Sequence, residues 1–334
     1  MKKHIFLISL IFLCFNLTAQ SLQVRVGLLN GPTCIPAAYV MENTKSISAT
    51  LSDGSNSSAN LSFEKFADPQ ALLPKMIKKE IDIGFMPVNV AAKVYNSGNK
   101  SLLCCAVTGL GNLSLITTNT NIHRFTDLKG KTVYVAGQGA TPEYMLRYIL
   151  DENKINYSKD GDVKLDYSIP TAQLAAQLIS GKIQYALVPE PFATIAKIKS
   201  DKVIAALDIQ KEYLELSGAK EIYPLSVMVV RADFAKENPE LLEAFLSEYE
   251  KAVHWTIINP ADSGKLSEKN ELGLAAAIVT KAIPVSNYTY IPAKKAETQI
   301  EALLTIFLNC DKASIGGKLP DKDFYYGKNL KANP

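Results

Sequence analysis

Ile77-Lys78-Lys79-Glu80-Ile81-Asp82-Ile83-Gly84-Phe85-Met86-Pro87 is answered further along the chain by Ile179-Ser180-Gly181-Lys182-Ile183-Gln184-Tyr185-Ala186-Leu187-Val188-Pro189. Each stretch reads as the end of a helix, a tight polar turn, a short apolar strand and a proline at the strand's carboxyl end. Proline has no N–H to give a ladder, so it ends the strand and turns the chain outward.

A second echo precedes each copy. The strand Val24 to Leu29 leads into Asn30-Gly31-Pro32-Thr33, and the strand Thr132 to Ala136 leads into Gly137-Gln138-Gly139-Ala140-Thr141. Pro36-Ala37-Ala38-Tyr39 follows the first loop and Pro142-Glu143-Tyr144 the second. Thr141 suits an N-cap, and Pro142 then falls at N1, where its fixed φ helps the helix start. Two echoes in one order describe a repeated unit of strand, glycine-bearing loop and helix.

Strands alternating with helical patterns imply mostly parallel sheets flanked by helices, the α/β class. In such sheets ligands sit beyond the carboxyl ends of the strands, where the glycine loops and proline turns lie. Two lobes facing each other would line one cleft from both sides. Strand-like crossings near residues 117 and 224 make a two-strand hinge, with residues 20–116 and 225–334 in one lobe and residues 117–224 in the other. The helix opening at Glu237-Asn238-Pro239-Glu240, with Leu241, Leu242, Phe245, Leu246 and Tyr249 on one face, is expected to pack back on the first lobe. Residues 43–60, rich in Ser, Asn and Thr, read as a surface excursion.

A chain of 334 residues exceeds what one compact core usually takes, which agrees with two lobes. Charged residues make up 21% and the formal charge is +3. Two of those positives, Lys2 and Lys3, precede the apolar run Ile5 to Phe15, which is too short to span a bilayer. Residues 1–19 are therefore read as a signal peptide cut after Ala19, with lipidation at Cys14 the lesser alternative because Leu13 is large for a lipobox. The nearly neutral remainder offers no basic field for nucleic acid. Cys34, Cys104, Cys105 and Cys310 form no disulfide framework by spacing. Cys104-Cys105 reads as part of a buried strand, and a bridge from Cys34 to Cys310 stays open.

The ordered set Asp127-Leu128-Lys129-Gly130-Lys131, Gly137-x-Gly139-Ala140-Thr141-Pro142-Glu143, Ser180-Gly181-Lys182 and Val188-Pro189-Glu190-Pro191-Phe192-Ala193-Thr194 resembles the nitrate, sulfonate and taurine branch of the periplasmic binding proteins of ABC importers. That branch includes binders of thiamine precursors. The resemblance implies a type II, Venus-flytrap fold, passive ligand binding in the periplasm and delivery to a membrane permease. It implies a monomer without cofactor or metal. It also puts a small molecule against Asn30, Gly31 and Thr33, against Met86 and Asn89, and against the end of the hinge strand. Gly137, Gly139, Ala140, Thr141 and Glu190 complete that implied site.

Read from the residues themselves, the Gly137 to Thr141 loop can bring backbone N–H groups and a helix N-terminus to an acceptor-bearing ligand, or can be only a turn. Glu190, held between prolines, either accepts hydrogen bonds from a donor-bearing ligand or makes a salt bridge within its lobe. Asn89 is either a contact or a turn cap. Thr117 and Thr118 offer hydroxyls at the end of the hinge strand, while Thr108 and Asn112 flank Gly109 to Gly111. Tyr39 and Tyr144 could stack on a planar ligand or pack along their helices. A dinucleotide reading of Gly137-x-Gly139 fails because Pro142 stands where the third glycine belongs. The catalytic inventory is thin. His123 and His254 are far apart, with His254 expected to pack beside Trp255, and no Gly-x-Ser-x-Gly elbow exists. Two alternatives to the importer reading are a sensor using the same cleft and an enzyme resembling the pyrimidine synthases of this fold.

Overall fold

The computed structural model describes residues 22–97 and 100–327. The expected signal peptide and Cys14 lie outside the described residues. Strands β1 (Leu22–Leu29), β2 (Ser46–Thr50), β3 (Asn56–Phe66), β4 (Ile83–Pro87) and β5 (Leu102–Leu110) come first. They are followed by β6 (Leu113–Thr117), β7 (Lys131–Val135), β8 (Val163–Asp166), β9 (Tyr185–Pro189) and β10 (Ile204–Asp208). Then come β11 (Pro224–Arg231) and β12 (Tyr288–Pro292).

Two sheets result, ordered β12-β5-β11-β4-β1-β3-β2 and β10-β6-β9-β7-β8. Helices flank both, so the chain is a two-lobed α/β protein. The sheets are mixed rather than mostly parallel. In each, three strands run parallel, β4-β1-β3 in one and β9-β7-β8 in the other. Beside each proline-ended strand lies an antiparallel neighbour, β11 against β4 and β6 against β9. The two sheets therefore repeat one five-strand pattern, β5-β11-β4-β1-β3 and β10-β6-β9-β7-β8.

The repeat has a local cause. Helices Pro69–Ile77 and Thr171–Ile179 end just before the two polar turns. Those turns need one residue in the left-handed region, taken by Lys79 (φ 62°) in the first and Gly181 (φ 76°) in the second. The strands that follow, Ile83 to Met86 and Tyr185 to Val188, are buried throughout, as expected of strands covered on both faces.

Pairing moves the first crossing. β6 belongs to the second sheet, so the boundary expected after residue 116 falls before residue 113. The chain crosses at Gly111-Asn112 and again at residues 218–223, and the two segments are joined where Gly111 N donates to Tyr223 O at 2.9 Å. Residues 43–60 are likewise no bare excursion: β2 and β3 form an antiparallel hairpin, and β3 continues parallel to β1. Small and β-branched residues alternating along Ser46 to Thr50 fit an edge strand, a signal masked by their polar composition.

Helix Pro239–Ile258 buries Leu241, Leu242, Phe245, Leu246 and Tyr249 and packs beside β2, β3 and β12 of the first sheet. At the end of that sheet away from the prolines, Asp82 is 1% exposed and holds Arg25 through Nε (2.8 Å) and a second guanidinium nitrogen (2.7 Å). Arg231 approaches the same carboxylate at 3.4 Å and is itself bound to Asp233 at 3.0 Å. This cluster ties the middle of β1 to the start of β4 and the end of β11.

Candidate functional site

A cavity of about 210 Å³ lies where the carboxyl ends of the parallel strands of both sheets face each other. The first lobe contributes Pro32 and Thr33 after β1, Pro87 at the end of β4, Leu225 and Ser226 of β11, and Tyr288 of β12. The second contributes Ala140, Thr141 and Pro142 after β7 and Pro189 and Glu190 at the end of β9. Asn112 and Leu113 close it at the crossing. Larger hollows of 500 and 620 Å³, one around Arg147 and Tyr157 and one around Arg231 and Asp233, each take their walls from one lobe.

Glu190 is the carboxyl group of this cavity. It is 4% exposed, and its Oε2 accepts from Thr194 N at 3.1 Å, in the first turn of helix Phe192–Lys199. Burial raises its pKa above the ordinary glutamate value, against the opposing pull of the Thr194 bonds and the charge of Lys197. A carboxyl group raised on folding contributes stability that is complete below the unfolded glutamate pKa, about 4.3, and is lost as pH rises through its folded value. The unliganded wild type is therefore expected to lose stability relative to Glu190→Gln as pH climbs from 4 toward neutrality, read as diverging urea midpoints. Parallel midpoints across that range would refute the buried titration.

Asn112 is 8% exposed; its Nδ2 donates to Ser286 O at 3.3 Å, and its Oδ1 is buried without a hydrogen-bond partner. Its backbone carbonyl accepts from Glu190 N at 3.1 Å. Tyr288 spends its hydroxyl on Pro32 O at 2.7 Å, and burial pushes its pKa far up, so it stays a neutral donor. Thr108 stands behind the wall: it is fully buried and shares a 3.1 Å hydrogen bond with Ser226 Oγ.

The glycine loop is built as expected in outline. Gly137 and Gly139 take φ of 73° and 71°, open to glycine without strain. The cap shifts by one residue. Ala140, extended at φ −120°, is the N-cap and its carbonyl accepts from Tyr144 N, so Thr141 begins the helix Thr141–Glu152. Glu143 supplies the missing cap: its Oε2 accepts from Gly139 N at 2.7 Å, and its Oε1 meets Arg147 at 3.2 Å. A glutamate three residues after the N-cap is a readable sequence signal.

Of the residues expected at the site, Thr33, Asn112, Ala140, Thr141 and Glu190 line the cavity, whereas Gly137 and Gly139 do not and act through the turn they form. Asn30 is exposed, and Gly31 is tied by its N–H to Leu272 O at 2.8 Å. Met86 points into the core at 0% exposure, and Pro87 takes the wall position instead. Asn89 is buried in the first turn of helix Val88–Ser97 behind Pro87. Thr117 is displaced furthest. β6 runs antiparallel to β9, so Leu113 sits beside Pro189 at the cleft and Thr117 pairs with Tyr185 at the opposite end. Its hydroxyl accepts from Asn119 N at 3.0 Å. Tyr39 stacks on Trp255 (4.7 Å) and Tyr144 on Phe307 (4.8 Å), both packing roles. His254, expected to be packed, is exposed, because its helix buries Val253 and Thr256 instead. Ser226, Ser286 and Tyr288 carried no sequence signal, since they reach the cavity only through the returning C-terminal half.

Cys34, Cys104, Cys105 and Cys310 are free thiols, the first three buried. Cys34 Sγ accepts from Leu29 N at 3.2 Å and burial pushes its pKa up to about 12. Among the described residues no group of three or more His, Cys, Asp or Glu is placed to hold a metal ion, and no helix is long and apolar enough to cross a membrane.

The family model described as the NMT1-like family matches residues 18–268. A stretch of 128 residues is 29% identical to the provisionally assigned binding protein YtlA of Bacillus subtilis (strain 168), covering 38% of this chain and 35% of that protein. Among solved structures, an ABC transporter protein from Parabacteroides distasonis is similar with a TM-score of 0.75 at 22% identity, covering 92% of this chain and 99% of that one. The periplasmic aliphatic sulphonate binding protein SsuA from Escherichia coli gives 0.67 at 17% identity, over 93% and 96% of the two chains. The periplasmic nitrate-binding protein NrtA from Synechocystis PCC 6803 gives 0.64 at 13% identity, over 89% and 84%. At these identities the structural likeness speaks to the fold, which matches that of the type II periplasmic binding proteins.

Proposed function

The chain belongs to the NMT1-like family, and from that premise we propose that it is the extracytoplasmic solute-binding component of an ABC importer. In this reading the two lobes close on a small organic molecule in the inter-lobe cleft and hand it to a permease. The observation that carries it is the cavity itself, walled by equivalent loops of both repeats and by the crossing segment between them. A site split between two bodies joined by two short segments can be opened and shut by rotation at Gly111-Asn112 and residues 218–223. Thr33, Thr141, Glu190, Asn112 and Ser226 are assigned as the polar contacts, with Thr108 holding Ser226 in place.

Binding without chemistry fits the residues present. His123 and His254 are exposed, outside the cavity, and the adjacent thiols of Cys104 and Cys105 are buried in β5 with their pKa values raised by burial. Export to the periplasm by residues 1–19 belongs to the same proposal, as does action as a monomer.

The expected result is ligand-dependent stabilisation with no turnover. A ligand that binds only the folded form adds about 2.7 kcal/mol at one hundred times its Kd. Thermal-shift screening of sulfonates, nitrate, pyrimidines, flavins and polyamines checks this, with native mass spectrometry on the incubated hit to confirm that the ligand leaves chemically unchanged. Recovery of a converted product would overturn the reading.

A further inference from the structure

The cavity carries a polarity of its own. Its lining holds no lysine, arginine or histidine, while Glu190 brings a carboxyl group. Asn112 adds a buried oxygen with no donor to meet it. Both sit on the same wall, since Asn112 O accepts from Glu190 N. A buried acceptor left unpaired is unfavourable, and a donor-bearing guest would relieve it once the Asn112 side chain, which is closed off from the cavity as it stands, turns toward the guest.

One N–H of the glycine loop, where an anion would be expected, is already taken. Gly139 N, at the entrance to helix Thr141–Glu152, is bonded to Glu143 Oε2 at 2.7 Å, and Glu143 is 8% exposed. The helix N-terminus that favours negative charge thus has a resident carboxylate. Of the hydroxyls, Tyr288 OH donates to Pro32 O and Ser226 Oγ is paired with Thr108, while Thr33, Thr141 and Ser226 remain able to accept as well as donate and so meet a donor-bearing guest without opposing it. Pro87, Leu113, Pro142 and Leu225 provide apolar walls for a compact organic body.

We propose that the cleft selects a small organic cation, an amidinium or ammonium group facing the Glu190 carboxylate and Asn112 Oδ1, and that it rejects sulfonates and nitrate. This rests on the cleft being the solute site. Pairing with the cation favours the ionised form of Glu190 and supplies a charge-assisted hydrogen bond that offsets the cost of burying the carboxylate.

The test uses the full chain and two matched ligand series, titrated by calorimetry and followed by thermal shift. Benzamidinium, benzamide and benzenesulfonate share one ring size, and acetamidinium, acetamide and methanesulfonate repeat the comparison at a smaller size, with nitrate added. In at least one series the amidinium should bind about tenfold or more tightly than the amide, the margin of a charged over a neutral hydrogen bond, and the sulfonates and nitrate should give no response. Glu190→Gln should bring amidinium affinity down to the level of the amide, with the amide unchanged. Because the wild-type comparison needs no variant, a failure of Glu190→Gln to fold leaves the test intact. Binding of an amide or a sulfonate as tight as the amidinium would overturn the cation assignment while keeping the solute site. Silence from every ligand would overturn both.

Discussion

Asp82→Ala is expected to be among the most damaging single substitutions in the molecule, lowering folding stability by about 3 kcal/mol or more. Its carboxylate is 1% exposed and accepts from Arg25 Nε, from a second Arg25 nitrogen and from Arg25 N (2.9 Å). Removing it strands the Arg231 side chain, which is 9% exposed and keeps Asp233 as its remaining partner. Arg231 N also donates to Asp82 O and Asp82 N to Arg25 O, so the backbone of three strands converges on this residue. The urea midpoint should fall with an unchanged slope. The cluster lies at the opposite end of the sheet from Pro87 and the cleft, so the folded fraction should keep wild-type ligand affinity. A loss of affinity without a loss of stability would contradict this division between scaffold and site.

Gly111→Ala should follow closely. A Cβ built at Gly111 would lie 2.3 Å from Tyr223 Cζ and 2.6 and 2.7 Å from its two Cε atoms, well inside contact. Tyr223 cannot easily yield: it is fully buried, its hydroxyl donates to Gln210 Oε1 at 2.7 Å, and its ring meets Tyr213 edge-on at 5.2 Å. Gln210 in turn receives Leu113 N at 2.8 Å and donates to Leu113 O at 2.9 Å. One methyl at the crossing therefore disturbs both connecting segments at once, with a loss of about 1–3 kcal/mol typical of overpacking. Pairing the substitution with Tyr223→Leu should lose clearly less than the sum of the two single losses. Additive losses would show that the ring and the glycine do not press on one another.

The doubled pattern was legible because it has a local cause. Helix end, positive-φ turn, apolar strand and proline recur in order, and each step restricts the next, so Lys79 and Gly181 could be aligned by eye. Sheet direction was less legible. β6 and β11 look like continuations of the chain, and only pairing reveals that both run antiparallel beside the proline-ended strands. That reversal is why Leu113 rather than Thr117 reaches the cavity. The glycine loop and Glu190 were legible as candidates, since strand ends carry such sites in α/β folds. What Glu190 and Asn112 face was not, because Ser226, Ser286 and Tyr288 come from a distant part of the chain. Glu143 was overlooked for the opposite reason. Its role is local, but a glutamate after proline was read only as part of a motif and not as the carboxylate that would cap Gly139.

The two lobes also touch outside the cavity. Tyr144, whose ring packs on Phe307, donates to Asp311 Oδ2 at 3.3 Å, and Arg147 reaches Cys310 O at 3.4 Å, where helix Ala293–Cys310 ends. Any bond present in one lobe arrangement and weaker in another contributes to the equilibrium between them, and apparent affinity scales with the population of the competent arrangement. The strength with which a cleft of this kind would hold a guest is thereby set partly by residues that never meet it, so substitutions on the outer surface can retune affinity while leaving the recognition chemistry untouched.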